Sequence, residues 1–406
     1  MAGETDICLE QRQEAQQRTK VSLAVALGLL TVFGPISMDL YLPVLPALSA
    51  DLGATTSTAQ VTISACLFGL AAGQLITGPL SDRYGRRRPL LIGITAYILT
   101  SIACAVSPTI EVLVVARFAQ GLAGGAGVVI AQAAGRDLFS GGRLVRYYAR
   151  LTVLGGLAAV IGPVIGGQLA ALTDWRGVFA FLAGVGLVIL VVSTLVFTET
   201  QPRERRTRGG VIASGHQMRR LLIDPAFLTP VLIMGLTNAA LFAYLSGATF
   251  TLQGTYGLSP QGYSIAFGLN SVGFMAFGFA GGRLAALWSV TGALVAGLIL
   301  AVLGAAGLFV TGLFGLPLPV FVVTLFAMVA GIAFASPPAT MLALADHPEL
   351  AGTASSLLGL ARYAAGGVAA PLVGLAGASV GIGLGVVTLA STAAAVTVLA
   401  WSRTTR

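Results

Sequence analysis

Long apolar runs alternate with short polar turns from one end of the chain to the other, and that alternation leaves few folds open. Runs long enough to cross a bilayer as helices fall at 21–48, 58–80, 89–107, 110–135, 146–172 and 176–198. A second set follows at 225–250, 260–282, 289–313, 317–345, 352–375 and 377–401. Charged residues are 9% of the 406, against about a quarter in soluble proteins, so lipid is the solvent for this much apolar surface. The 53 glycines fit membrane helices that pack through small side chains. The expected fold is all-α and integral to a membrane, with twelve transmembrane helices and the lipid bilayer as a partner.

A net charge of +8 invites a nucleic-acid reading, but the positions of the charges argue for none. Basic residues sit in the N-terminal tail (Arg12, Arg18, Lys20), in the turn at 78–89, and at Arg136, Arg143, Arg146 and Arg150. They return at Arg203, Arg205, Arg206, Arg208, Arg219, Arg220, Arg283, Arg403 and Arg406. Turns on the other side carry almost none, Arg176 excepted. This is the positive-inside pattern, and it places both termini in the cytoplasm. The expected organisation is a cytoplasmic tail at 1–20, a half at 21–198, a basic cytoplasmic linker at 199–224 and a second half at 225–402. Cys8, Cys66 and Cys104 imply no disulfide framework, and the first apolar run reads as a retained helix, not a signal peptide.

The turn Gly78-Pro79-Leu80-Ser81-Asp82-Arg83-Tyr84-Gly85-Arg86-Arg87-Arg88-Pro89 is dense in arginine. Gly78-Pro79 is expected to kink the preceding helix, and Pro89 suits the first turn of the next. Gly78, Asp82, Arg83, Gly85, Arg86 and Arg87 are gate candidates for the cytoplasmic face. Asp137, beside Arg136 at the end of the fourth run, reads as a charge that neutralises nearby arginines in the same gate.

Ionisable groups within a bilayer are costly and are functional candidates for that reason. Asp39 lies about 13 Å from the outer end of the first run and Arg117 about 10 Å from that of the fourth, at comparable depth. Asp39 is the candidate proton site. Beside Arg117 its carboxylate would keep its charge, and in apolar surroundings it would take up a proton. A static Asp39–Arg117 pair that sets helix register is the alternative. Arg362, about 15 Å into the eleventh run, either lines a central cavity or ties helices together. Asp346 and Glu349 fall in the loop before it. Tyr41, Asn238, Tyr244, Gln253, Asn270 and Tyr363 are candidate cavity-lining groups, with helix packing as the plainer role for each. His216 and His347 lack metal-ligand spacing and no phosphate-binding loop is present, so no metal site, cofactor or enzyme activity is expected.

The 78–89 turn, read as G-x-L-x-D-R-x-G-R-R-x-x-L, resembles the signature loop of the major facilitator superfamily. The resemblance implies two six-helix halves related by a pseudo-two-fold axis. The second half's counterpart, Gly278-Phe279-Ala280-Gly281-Gly282-Arg283-Leu284, keeps glycines and one arginine without the acid. Arg117-Phe118-Ala119-Gln120-Gly121 is similar to the R-x-x-Q-G motif of twelve-helix drug:proton antiporters, whose arginine is linked to proton coupling. Gly162-Pro163-Val164-Ile165-Gly166-Gly167 resembles the core of their fifth-helix motif, with Ala158 at an upstream glycine position. Met38–Pro43, Arg136–Phe139, Asp174–Phe179 and Ala351–Ser356 are most similar to the bicyclomycin/chloramphenicol-resistance branch. That resemblance implies a monomer in the bacterial inner membrane that exports small amphipathic drugs, phenicol- or bicyclomycin-like, against protons. The proton gradient would be its only energy source. A nutrient symporter or uniporter is the rival, and it has no need of the fifth-run glycine motif.

Overall fold

The computed structural model describes residues 27–31, 33–34, 36–139, 141–202, 206, 218–345, 351–375 and 380–404. Arg12, Arg18, Lys20, Arg203, Arg205, Arg208, His216, Asp346, His347, Glu349 and Arg406 lie outside them. Among the described residues there is no strand.

The first span is a broken helix. The described helical residues between 27 and 39 form α1, which gives way to a turn at Leu40 and Tyr41 and a 3-10 turn at Leu42–Val44. Helix α2, Leu45–Asp51, then completes the span. This corrects the expectation of one continuous run over 21–48. Pro43 and Pro46 have no N–H to return to the carbonyls of Asp39 and Leu42, four residues back, so the ladder stops at Asp39. The break leaves Asp39 as the last helical residue of α1.

Among the described residues, eleven helices that are apolar and long enough to cross a bilayer follow. The first half continues with α3 (Thr56–Tyr84), α4 (Arg87–Ala105), α5 (Ile110–Leu138), α6 (Gly141–Leu172) and α7 (Trp175–Val196). The second half is α8 (Pro225–Phe250), α9 (Pro260–Leu287), α10 (Val290–Phe314), α11 (Leu318–Ala345), α12 (Ala351–Gly374) and α13 (Val380–Thr404). A π-turn, Thr251–Thr255, extends α8.

The packing repeats at an interval of six spans. α3 packs on α5 as α9 packs on α11, α4 on α5 as α10 on α11, and α4 on α7 as α10 on α13. The halves meet along two seams of the same kind, α3 with α12 and α6 with α9. Glycine sets the closeness of the helix pairs. A Cβ on Gly69 or Gly73 would strike the α5 backbone at Phe118 or Leu122, and one on Gly281 the α11 backbone at Phe334.

Two expectations at the helix ends change. α3 runs through Pro79 to Tyr84, so the polar turn shrinks to Gly85 and Arg86, with Gly85 at φ +88°. The extra turn holds because Arg86 reaches back to both Ser81 and Asp82. The counterpart at 278–284 is no loop at all but lies within α9.

Candidate functional site

Three polar groups sit at different depths. The arginine-rich end carries the first. There Arg86 Nη1 donates to Asp82 Oδ1 at 2.5 Å and to Ser81 Oγ at 2.7 Å, while its Nε donates to Asp137 Oδ2 at 2.9 Å. Thr200 also donates to Asp137, at 3.1 Å. Desolvation opposes the Arg86 charge, but the two carboxylates outweigh it and hold the guanidinium above its ordinary value. Arg87 bonds the Thr194 carbonyl, and Arg83 lies over the Tyr84 ring. Gly78 is in open space. The anticipated gate residues Asp82, Arg86 and Asp137 are therefore brought together, by partners of the first half.

Sequence reasoning passed over Glu199. Its carboxylate accepts from the backbone N–H groups of Arg86 at 2.8 Å and Arg87 at 3.4 Å, where α4 begins. A helix start presents unpaired N–H groups and positive dipole, which a carboxylate satisfies. Gly85 is required here: a side chain would strike Glu199 and Arg206, and its φ is positive. The available signal was an acid directly after the last apolar run of its half, facing a turn of arginines.

Arg117 forms the second group, with no exposed surface. Its Nη1 donates to Gln120 Oε1 at 2.7 Å and to the Ser37 carbonyl at 3.2 Å. Gln120 passes the chain on to Ser101 Oγ at 2.7 Å. The guanidinium lies 4.4 Å from the centre of the Tyr41 ring and 5.5 Å from that of Phe179, close enough for cation–π attraction. The alternative of a static pair and one cavity expectation fail at this point. Arg117 does not pair with Asp39, because it is drawn to the Ser37 side of α1 and into the interior of the first half. Tyr41 lines no cavity: it is fully buried, bonds Thr62 at 2.5 Å and serves as the ring beneath Arg117.

Asp39 heads the third group. It is only 7% exposed, and no hydrogen bond or ion pair reaches its carboxylate among the described residues. It faces the junction of the halves. Gly162 of α6 packs on it, with space for a Cβ only 3.1 Å from the Asp39 Cβ. A Cβ on Gly166 would overlap the Leu40 carbonyl, and one on Gly167 would overlap Ser264 of α9. The glycine motif thus lets α6 wedge between the broken first span and the second half, with Asp39 at the edge of the wedge. Pro163 lies within α6 without ending it.

The second half answers with polar atoms that lack partners. Tyr244 Oη, Tyr263 Oη, Asn270 Oδ1 and Arg362 Nε are buried without hydrogen bonds. The charge of Asp39 acts on Tyr244 and Tyr263. The Tyr244 hydroxyl lies near the Asn270 side chain, outside hydrogen-bonding geometry, and its ring stacks on Phe267 at 5.7 Å. The cation whose field reaches Asp39 is Arg362, across the interface. Tyr363 is half-buried against Phe242. Asn238 is buried, its amide returned to the Met234 carbonyl at 2.8 Å. Tyr263 was not anticipated, since it reads as one more aromatic in an apolar run.

At the end opposite the arginines the halves are fastened together. Thr249 donates to the Leu42 carbonyl at 2.9 Å, Gln253 to that of Pro43 at 3.0 Å and Gln60 to that of Ser246 at 3.2 Å. Ser57 donates to the Pro371 carbonyl at 3.3 Å. Gln253 is therefore a clasp on backbone freed by the prolines, not a cavity wall. On the same side Asp51 receives Arg176 at 2.7 Å and the Trp175 indole at 2.9 Å, which accounts for the stray arginine. A cavity of about 610 Å³ opens along the last turns of α11, lined by Ser336, Pro337, Thr340, Met341, Leu344 and Ala345.

The family model described as "Major Facilitator Superfamily" matches residues 27–371. The chain belongs to the major facilitator superfamily. It is therefore a multi-pass membrane transporter of a small molecule, and not an enzyme. It is 36% identical over 360 residues to the uncharacterized MFS-type transporter YdgK of Bacillus subtilis (strain 168), covering 88% of this chain and 90% of that one. It is 30% identical over 351 residues to a chloramphenicol resistance protein of Pseudomonas aeruginosa (83% and 81% covered). It is also 28% identical over 367 residues to a bicyclomycin resistance protein homolog of Haemophilus influenzae (88% and 90% covered). The fold matches that of a bacterial homolog to the human lysosomal transporter Spinster, with a TM-score of 0.76 at 16% identity over 94% of this chain and 96% of that one. A D-xylose-proton symporter matches with a TM-score of 0.68 at 15% identity, over 92% and 96%.

Proposed function

We propose that this transporter expels small amphipathic drugs, phenicol- or bicyclomycin-like, in exchange for protons. The observation that carries the reading is the Asp39 carboxylate, buried where the two halves meet with no hydrogen bond or ion pair among the described residues. A carboxylate in such a place is costly to keep as a bare charge and is suited to binding and releasing a proton as its surroundings change. On this reading Tyr244, Asn270, Arg362 and Tyr363 of the second half supply aromatic, amide and cationic surface for a drug. The resistance proteins among the relatives support the substrate class.

Under this reading the arginine-rich end is cytoplasmic, with both termini inside the bacterial inner membrane, and the clasped end faces outward. The structure is then the outward-closed form of an alternating-access cycle. Arg117 acts as a positioning residue. By holding the Ser37 carbonyl and the Tyr41 ring, it fixes the chain on both sides of Asp39. The glycine wedge of α6 lets the halves move against each other without leaving a gap beside Asp39. One intramembrane acid suits one proton per cycle, with no other cofactor and a monomer as the working unit.

The test is resistance in an efflux-deficient bacterium, with the wild type and Asp39→Asn compared over a panel of antibiotics that includes chloramphenicol and bicyclomycin. Resistance that disappears in Asp39→Asn at equal expression supports the proposal. Resistance that survives undiminished removes Asp39 from the mechanism, and accumulation of a compound instead of its loss turns the reading toward import.

A further inference from the structure

We propose that the last turns of α11 form a loading site, at which an uncharged amphipathic drug docks from the cytoplasmic side before it reaches the Asp39 cluster. The proposal rests on the exporter reading. The site is the cavity of about 610 Å³ lined by Ser336, Pro337, Thr340, Met341, Leu344 and Ala345. All six belong to the closing turns of α11, so the site reaches roughly 14 Å inward from the arginine-rich end.

The other contacts of α11 fix where the cavity faces. Ala335 and Ala339 pack with Leu294 and Leu298 of α10. Thr340 meets Met234 of α8, with Oγ1 3.9 Å from the sulfur, and Pro337 lies beside Gly282 of α9. At helical spacing Pro337, Thr340, Met341 and Leu344 fall between the α8 and α9 sides and opposite α10. α8 and α9 both pack on α11 but scarcely on each other, which leaves a gap between them. α10 packs on α9, α11 and α13 of its own half, whereas α9 meets α6 and α12 meets α3 across the interface. The cavity therefore faces the first half and not the bilayer. Thr249, Gln253 and Gln60 hold the halves together at the opposite end, and no described residue of the first half lines the cavity. It is open toward the cytoplasm.

The lining selects a chemistry. It holds no acidic or basic side chain, and Arg283, which follows Gly282 on α9, is not part of it. A charged drug would lose water there and find no counter-charge. Pro337, Leu344 and Met341, the last 43% exposed, offer apolar surface, while Ser336 and Thr340 place two hydroxyl residues one turn apart. Thr340 Oγ1 donates to the Ser336 carbonyl at 3.0 Å and keeps its lone pairs for a donor on the ligand. Apolar walls with a few polar groups are the pattern of small-molecule sites, and the volume falls in their range. Two features suit drugs of more than one shape. Methionine fills irregular space. Pro337 and Pro338 also lack the N–H groups that would serve the Ala333 and Phe334 carbonyls, so the segment carrying the site joins the rest of α11 through a weakened ladder.

The experiment uses the full chain in detergent with a diazirine analogue of chloramphenicol. Adducts are mapped by peptide mass spectrometry, and affinity is read from binding of radiolabelled chloramphenicol. Adducts within 336–345 are expected, suppressed by excess chloramphenicol but not by tetraphenylphosphonium, a cation. Met341→Trp fills the cavity from an exposed position, and is expected to remove those adducts and weaken binding about tenfold. Thr340→Val keeps the volume, loses the hydroxyl and weakens binding a few-fold. Adducts at 336–345 that excess chloramphenicol leaves in place mark ordinary apolar surface covered by detergent or lipid, and overturn the proposal. Suppression by the cation as strong as by chloramphenicol overturns the uncharged class. Adducts confined to α8 and α9 around Tyr244 and Asn270, with affinity unchanged in both variants, overturn the site while leaving the exporter reading intact. Wild-type protein that neither binds chloramphenicol nor transports it in proteoliposomes overturns the phenicol reading and the proposal with it.

Discussion

Arg86 and Asp39 each lie in a polar cluster of a chain that has few, and the two clusters are built on opposite principles. Around Arg86 the charges find partners: Asp82, Asp137, Ser81 and Thr200 close on the guanidinium and on one another, and Glu199 caps the helix that follows. Around Asp39 the carboxylate, two tyrosine hydroxyls, an amide oxygen and an arginine nitrogen stand without hydrogen bonds. A saturated network resists rearrangement. An unsaturated one gains by binding something or by moving, because each unpaired buried group costs about 1–3 kcal/mol. The loop that identifies the family is thus the rigid part, and the transport chemistry falls to the cluster left incomplete.

The sharpest way to break this comparison is to neutralise each cluster in turn. Asp39→Asn is expected to lower proton-driven transport about a hundredfold. The folded protein should not lose stability, because an unpaired buried charge is removed, and thermal unfolding in detergent checks that half of the claim. Arg86→Ala should do the reverse. It strands Asp137 and Asp82, lowers stability by about 2 kcal/mol, and leaves drug exchange in proteoliposomes within a few-fold of wild type. Gly166→Leu probes the wedge between the clusters. Its side chain overlaps the Leu40 backbone, so a cost of about 1–3 kcal/mol is expected together with slowed transport. A variant with full transport would show that α6 need not approach so closely.

The smallest effect belongs to the outer clasp of Asp51 with Arg176 and Trp175. Hydrogen bonds from Arg176, then from Trp175, hold the Asp51 carboxyl below its usual 3.8. A lowered native value means that the bound proton favours the unfolded chain. The contribution is therefore fully present above about pH 4 and disappears as the pH falls below that. The difference in unfolding temperature between wild type and Asp51→Asn should be small and flat at neutral pH, and should shrink in acid. A difference that grows in acid contradicts the assignment.

Much of the fold was legible because lipid imposes a coarse rule, and run length with arginine placement follows from it. The spans beginning at Pro225, Pro260 and Leu318 start within a residue of where the apolar runs predict. The misses have local causes. The break after Asp39 comes from prolines four residues downstream of the carbonyls they fail to serve, and hydropathy averages over them. The extra turn of α3 depends on Arg86 folding back on Ser81 and Asp82, which spacing alone does not show. The site was only half legible. Asp39 and Arg117 stood out as charges in apolar runs, but depth said nothing about direction. Arg117 turned inward to Gln120 and Tyr41, and Arg362, read as equally suited to a cavity or a tie, has its Nε buried without a hydrogen bond.

The account's central claim is that one buried carboxylate carries the proton. The most direct test is the proton-to-drug ratio, measured as the reversal potential of chloramphenicol transport in proteoliposomes under imposed pH and voltage gradients. The account predicts about one proton per drug molecule for the wild type, from the single intramembrane acid, and none for Asp39→Asn. A ratio of two or more in the wild type, or an unchanged ratio in Asp39→Asn, would contradict it.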